Sequence, residues 1–183
     1  MYYYIYAEKD ATIYSEVESN RHLKNTGLDE ILELEKKVPP VNDTIENSRI
    51  LLKFDLTEVS KSMSSGIIPE FDGLHPLSSS VALKLYTARP SQLPTSYTVS
   101  TYPVSQSWSM GLGKKYYSPS IQEGVSWFYK NGFSTADNWR TGSQFSLNST
   151  GSWGSMKEGG GNWYTSDGLA QLRTSQTFEY ESA

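Results

Sequence analysis

Residues 48–56 read SRILLKFDL, and from Ile50 onward every second position is apolar. Ile50, Leu52, Phe54 and Leu56 fall on one side of an extended chain, and Arg49, Leu51, Lys53 and Asp55 fall on the other. A period of two marks a β-strand with one covered face. It limits the chain to folds that supply a covering layer, and it predicts Ile50, Leu52, Phe54 and Leu56 as core residues.

The same pattern recurs along the chain. DATIYS (10–15) reads as a strand with Ala11 and Ile13 on one face, and SVALKLYTA (80–88) as a strand with Val81, Leu83 and Leu85 inward and Lys84 outward. SYTVSTYPV (96–104) is another, and Pro103, which lacks an N–H, suggests an edge or bulge there. VSWFY (125–129) is a short strand, and QTFEYES (176–182) a last one. LDEILELEKKV (28–38) fits helical spacing as well. It is read as a strand because it sits between two strand signals at the spacing of an all-β fold. NRHLKNTG (20–27) is a loop ending in a turn.

One helix is expected near 57–65. In TEVSKSMSSG, Thr57 can cap, Leu56, Val59 and Met63 recur at helical steps, and Gly66 ends the run. Residues 130–175 are loop-rich, with long Gly/Ser stretches. Short strands, turn signals and one small helix point to an all-β fold, a single antiparallel β-sandwich domain over 1–183.

Several function classes are disfavoured. The net charge is −4 and Lys and Arg are not clustered, so nucleic acid is not an expected partner. No apolar run nears the ~18 residues of a membrane span. Cysteine is absent, so disulfides and thiolate chemistry are out. The start, MYYYIYAEKD, has neither the basic nor the apolar region of a signal peptide, which implies a product made in a cytoplasm.

Candidate chemistry is sparse. His22 and His75 lie in loops without neighbours at metal-ligand spacing, so no metal site is expected. GLG (111–113) and GGG (159–161) lack the Gly-Lys-Ser/Thr of a phosphate loop. The carboxylate pairs Glu8/Asp10, Asp29/Glu30 and Asp43/Glu46 read as solvated charges. Asp55 directly precedes the helix and reads as a hydrogen-bond partner for its free N–H groups. Aromatics are the better candidates, since Tyr and Trp carry one apolar and one polar end. All five tryptophans lie in the second half. Trp108 and Trp127 read as core. Trp139, Trp153, Trp163 and Tyr164 are the candidate contact residues for a ligand or partner.

The order DATIYS, NTG-LDEILEL, SRILLKFDL, SVALKLYTA, YPVSQSWSMGLG, EGVSWFY resembles the DNRLRE-type β-sandwich domains, which are similar to a class of carbohydrate-binding module. The wording MYYYIYAEKDATIY…LDEILEL…SRILLKFDLTEVS resembles the form found in structural proteins of tailed-phage virions. The resemblance covers residues 8–129 well and 130–183 loosely. It implies a jelly-roll-like sandwich with a binding or adhesive role, no catalysis and no cofactor, and it carries over no catalytic residues. Such domains continue past the strand at TFEYES, so three expectations stand open at Ala183: a short gene product, a fragment, or a sandwich whose last strands come from a neighbour. An open edge of that kind invites a neighbouring chain.

Three functions follow as expectations. The first is a non-enzymatic virion component (neck, tail, fibre or capsid-attached) in an oligomeric assembly with other virion proteins. The alternative is a carbohydrate-binding or adhesin module that contacts a surface glycan. A polysaccharide hydrolase comes last, for want of an acid/base constellation.

Overall fold

The structure, a computed structural model, describes residues 4–16, 20–37, 46–68, 82–89, 96–101, 104, 106–118, 121–132, 134, 138–139 and 174–179. Their regular elements are mostly strands in antiparallel sheets, with one short helix. In chain order they are β1 (Ala7–Tyr14), a 3-10 turn (Arg21–Leu23), β2 (Lys36–Lys37), β3 (Glu46–Phe54), α1 (Thr57–Ser64), β4 (Ser96–Thr101) and β5 (Thr174–Glu179). β3 lies between β1 and β2, and β4 pairs with β5.

β1 and β3 run from Ala7 opposite Phe54 to Tyr14 opposite Ser48, with a register shift between Ala7 and Lys9. Both faces of β1 are covered from Ala11 to Tyr14. On one face Ala11 and Ile13 join Leu51, Trp108, Val125, Trp127 and Trp139 in the hydrophobic core. On the other, Thr12 Oγ1 accepts the Glu33 N–H at 3.0 Å. Ser48 Oγ donates to the Glu33 carbonyl at 2.7 Å and accepts the Glu35 N–H at 2.6 Å. The outer edge of β1 is closed by a side chain. Thr26 Oγ1 accepts the Thr12 N–H at 3.0 Å and donates to the Thr12 carbonyl at 2.6 Å. One hydroxyl thus satisfies both backbone groups that a neighbouring strand would otherwise take.

The core face of β3 is the opposite of the one its alternation predicts. Leu51, on the charged side of SRILLKFDL, is buried beside Ala11, its cross-strand partner. Ile50, Leu52 and Phe54 are only half-buried, and Leu56 is 56% exposed. The reason is Arg49, which shares the Leu51 side. Its guanidinium lies 4.6 Å from the Trp127 ring centroid, so a charged residue lines an aromatic core face through a cation–π contact.

Three expected strands take other forms. Among the described residues of 28–38, Lys36 and Lys37 form the ladder pairs with β3, Glu35 O accepts the Ser48 N–H at 2.9 Å, and the Thr12 and Ser48 hydroxyls take the backbone groups nearer Glu33. Residues 82–89 form no strand, and Leu83 and Leu85 are exposed, so their expected inward placement is not found. No described strand pairs with this segment to give it a covered face. Val81 lies outside the described residues. VSWFY is buried but irregular. Val125 N–H donates to Ser109 O at 2.8 Å, Ser126 N–H to Tyr129 O at 2.8 Å and Trp127 N–H to His22 O at 3.2 Å. Two of these amides go to separate segments and one folds back on its own Tyr129, so no ladder forms.

The strands at 96–101 and 174–179 do pair, from Ser96 opposite Glu179 to Thr101 opposite Thr174. Tyr97 stacks on Phe178 at 5.3 Å, and the Thr98 and Thr177 hydroxyls meet at 2.9 Å, two cross-strand pairs that fix the register. The helix forms where expected and Gly66 follows it at φ +71°. Its cap comes from Asp55 rather than Thr57. The Asp55 carboxylate accepts the Thr57 N–H at 2.9 Å and the Thr57 hydroxyl at 2.6 Å.

Candidate contact site

Asn25 is wholly buried just after the 3-10 turn. Its Nδ2 donates to the carbonyls of Met110 at 2.6 Å and Val125 at 3.0 Å. Its Oδ1 accepts the N–H groups of Gly113 at 2.8 Å and Gly27 at 3.2 Å. Two donors and two lone pairs are therefore all used. Its backbone N–H adds a bond to Ile121 O at 3.1 Å. The backbone approaches so closely that glycine is required around it. Gly111 (φ +76°) and Gly124 (φ +105°) adopt left-handed conformations, and a Cβ on either would strike the Asn25 side chain.

From this hub the chain runs into a turn at 112–117 that is tied down on all sides. Gly113 O accepts the Leu28 N–H at 2.9 Å, and Tyr117 N–H donates to Lys114 O at 3.2 Å. Both carboxylate oxygens of Asp29 accept the Lys115 N–H at 3.2 Å. Lys24 Nζ donates to Lys115 O at 3.4 Å. Yet the turn presents Leu112, Tyr116 and Tyr117 to solvent, with Tyr116 84% and Tyr117 51% exposed.

A file of cations and rings joins that turn to the interior. The Arg21 guanidinium sits 3.9 Å from the Tyr14 ring centroid. The Lys115 ammonium sits 5.3 Å from the same ring and 5.2 Å from that of Tyr116. Carboxylates offset the cations. Arg21 pairs with Glu16 and Glu35, Lys37 with Glu35, and Lys115 with Glu33, which also accepts the Tyr14 hydroxyl at 2.8 Å.

This pairing moves the protonation equilibria apart. Burial, then the bond to Glu33, pushes the Tyr14 hydroxyl far above its ordinary value. For Glu33 burial acts upward, but the bonds from Lys115 and Tyr14 outweigh it and hold the carboxyl below its ordinary value. Asp29 is raised, chiefly by burial, with the Lys115 N–H opposing. Tyr14 stays protonated and Glu33 ionised at neutral pH, so the pair is fixed rather than poised for proton transfer.

Trp139, expected as a contact residue, is a core residue. It is 6% exposed and its Nε1 donates to Ser126 O at 3.1 Å. Its indole N–H needs a partner once buried, and the irregular 126–129 turn supplies one. Trp153, Trp163 and Tyr164 lie outside the described residues. Trp108 and Trp127 are buried, as expected. His22 is also buried, with Nδ1 3.0 Å from Glu16 O and its ring edge-on to Phe128. His75 lies outside the described residues. Among the described residues no group of three or more His, Cys, Asp or Glu could hold a metal ion, and no helix is long and apolar enough to cross a membrane.

Asn25, Leu112, Tyr116 and Tyr117 went unread in the sequence. The available signals were NTG and GLG, two short Gly motifs that demand close backbone approach, and the unburied pair in KKYY. No family model, no curated protein and no solved structure matches this chain.

Proposed function

We propose that the chain is a non-enzymatic contact domain of a larger assembly, a structural component of a tailed-phage virion built on a β-sandwich. The observation that carries this reading is the contrast between its charges and its apolar groups. The half-buried charges are paired internally, as at Arg21, Glu33 and Lys115. Large apolar side chains instead face solvent: Leu28, Ile31, Leu34, Leu112, Tyr116 and Tyr117 on the 28–34 and 112–117 segments, which meet at the Leu28–Gly113 bond. Exposed apolar groups gathered on neighbouring segments fit an interface better than open water. The resemblance to DNRLRE-type domains in their virion form supplies the kind of assembly.

Quantitative mass spectrometry of purified particles tests it. The chain is expected at a fixed copy number per particle, unchanged by a salt wash, and its absence from particles would exclude the virion role.

A further inference from the structure

We infer that Asn131–Gly132 is a self-modification site, at which the asparagine side chain closes on the next backbone nitrogen and loses its amide, and that the Asn25 hub holds this site shut in the folded chain.

Asn131 is the only asparagine of the sequence followed by glycine. Asparagine is chemically labile. Its carboxamide carbon can form a cyclic imide with the nitrogen of the next residue. A side chain on that residue would shield the nitrogen and restrict its rotation, and glycine does neither. Asn131 is also exposed, so ammonia can leave and water can enter.

The atoms balance with water alone. The Gly132 nitrogen bonds to Asn131 Cγ, the Cγ–Nδ2 bond breaks, and ammonia departs with the proton that the Gly132 nitrogen gives up. Water then opens the imide at either carbonyl. One opening leaves aspartate at position 131. The other leaves isoaspartate, whose main chain runs through the side-chain carbons and is one atom longer. Both carry a new negative charge.

The restraint is the bond that the attacking nitrogen already makes. The Gly132 N–H donates to Gly124 O at 3.0 Å, so the proton that must leave is held. The peptide cannot turn toward Cγ without breaking that bond. Gly124 is itself fixed, at φ +105°, against the Asn25 side chain, and the carbonyl of the next residue, Val125, accepts Asn25 Nδ2 at 3.0 Å. On the other side of Asn131, Lys130 O accepts the Ser109 N–H at 2.9 Å, and Ser109 O accepts the Val125 N–H at 2.8 Å. Both peptide groups flanking Asn131 are thus fastened to chain that the hub orders. An isoaspartate, with its longer main chain, does not fit between those two bonds. Modification is therefore a one-way record of hub opening.

Incubation of the full chain, folded and in urea, provides the test. Position 131 is followed by peptide mass mapping and by labelling with an isoaspartyl methyltransferase. The unfolded chain is expected to gain isoaspartate there. The folded wild type should do so at least about tenfold more slowly, because the reaction follows the population of the open form. Asn25→Ala should modify faster than wild type while its β1–β3 ladder stays protected from hydrogen exchange. Ser48→Ala, which loses its bonds to Glu33 and Glu35 instead, should stay near the wild-type rate. Gly132→Ala should suppress the reaction even in urea. Wild type in sub-denaturing urea removes any dependence on whether Asn25→Ala folds. There the modification should rise in step with exchange of the Gly113 and Gly132 amides.

Absence of isoaspartate at 131 in the unfolded chain would overturn the site. Equal rates in the folded and unfolded chain would overturn the restraint. A folded Asn25→Ala reacting at the wild-type rate, or a wild type that reacts only as the β1–β3 ladder is lost, would overturn the role of the hub.

Discussion

Asn25 holds four backbone groups from four residues, Gly27, Met110, Gly113 and Val125, with a single side chain. Removing it strands buried donors and acceptors together, each costing on the order of 1–3 kcal/mol when unpaired. Asn25→Ala is therefore expected to lose about 3 kcal/mol or more, read by urea unfolding. Asn25→Asp should do no better, because a carboxylate oxygen would face the Met110 and Val125 carbonyls where the amide donates. Glu33 gives a pH-dependent counterpart. Its folded pKa lies below the ordinary 4.5, so its contribution is complete above that value and fades as pH falls through the lower folded value. Glu33→Gln should be less stable than wild type at pH 7, with the gap narrowing as pH falls below 4.5 and through the lower folded value, as thermal melts across pH would show. Asp29, raised above its ordinary 3.8, acts in the opposite sense, favouring the fold at low pH and less as pH rises through its raised value.

β1 is a strand whose neighbours are side chains as much as strands. Thr26 stands in for a ladder partner at Thr12. Thr26→Val keeps the shape and deletes both bonds, with an expected cost of about 1–3 kcal/mol, whereas Thr26→Ser should retain most of the stability. At α1 the exposed Asp55 accepts two bonds from Thr57, which hold its carboxyl below its ordinary value. Asp55→Ala should fray the helix, lowering far-UV helical signal at neutral pH. Wild type should lose the same increment as pH falls through the depressed Asp55 value. These elements also show what the sequence could carry. The existence of β3 and the position of α1 were legible because periodicity and end signals are local. The buried face of β3 was not, because Arg49 can serve a core face only once Trp127, far along the chain, has come to meet it. LDEILELEKKV and VSWFY likewise have strand-like sequences, but Thr12 and Ser48 side chains on β1 and β3 take backbone groups of the first, and amides of the second go to Ser109 and His22, partners that no local pattern announces.

In the molecule as a whole, the covered face of the β1–β3 sheet meets irregular chain carrying Trp108, Val125, Trp127 and Trp139. What orders that chain is Asn25 with its glycines, and the same hub sets the 112–117 turn. Tryptophans in polar surroundings read as contact residues, and Trp139 shows how that reading fails, since a ring with few apolar neighbours in sequence can still be buried by distant ones. The tyrosines that do face solvent are recognisable only once the anchoring of their turn is known. Hydrogen exchange on the intact chain tests that anchoring. The amides of Gly27, Leu28, Gly113 and Lys115 should exchange as slowly as those of the β1–β3 ladder, and Asn25→Ala should release all four together. Exchange of those four amides at free-loop rates in the wild type, with the ladder still protected, would contradict a turn held rigid by the buried asparagine.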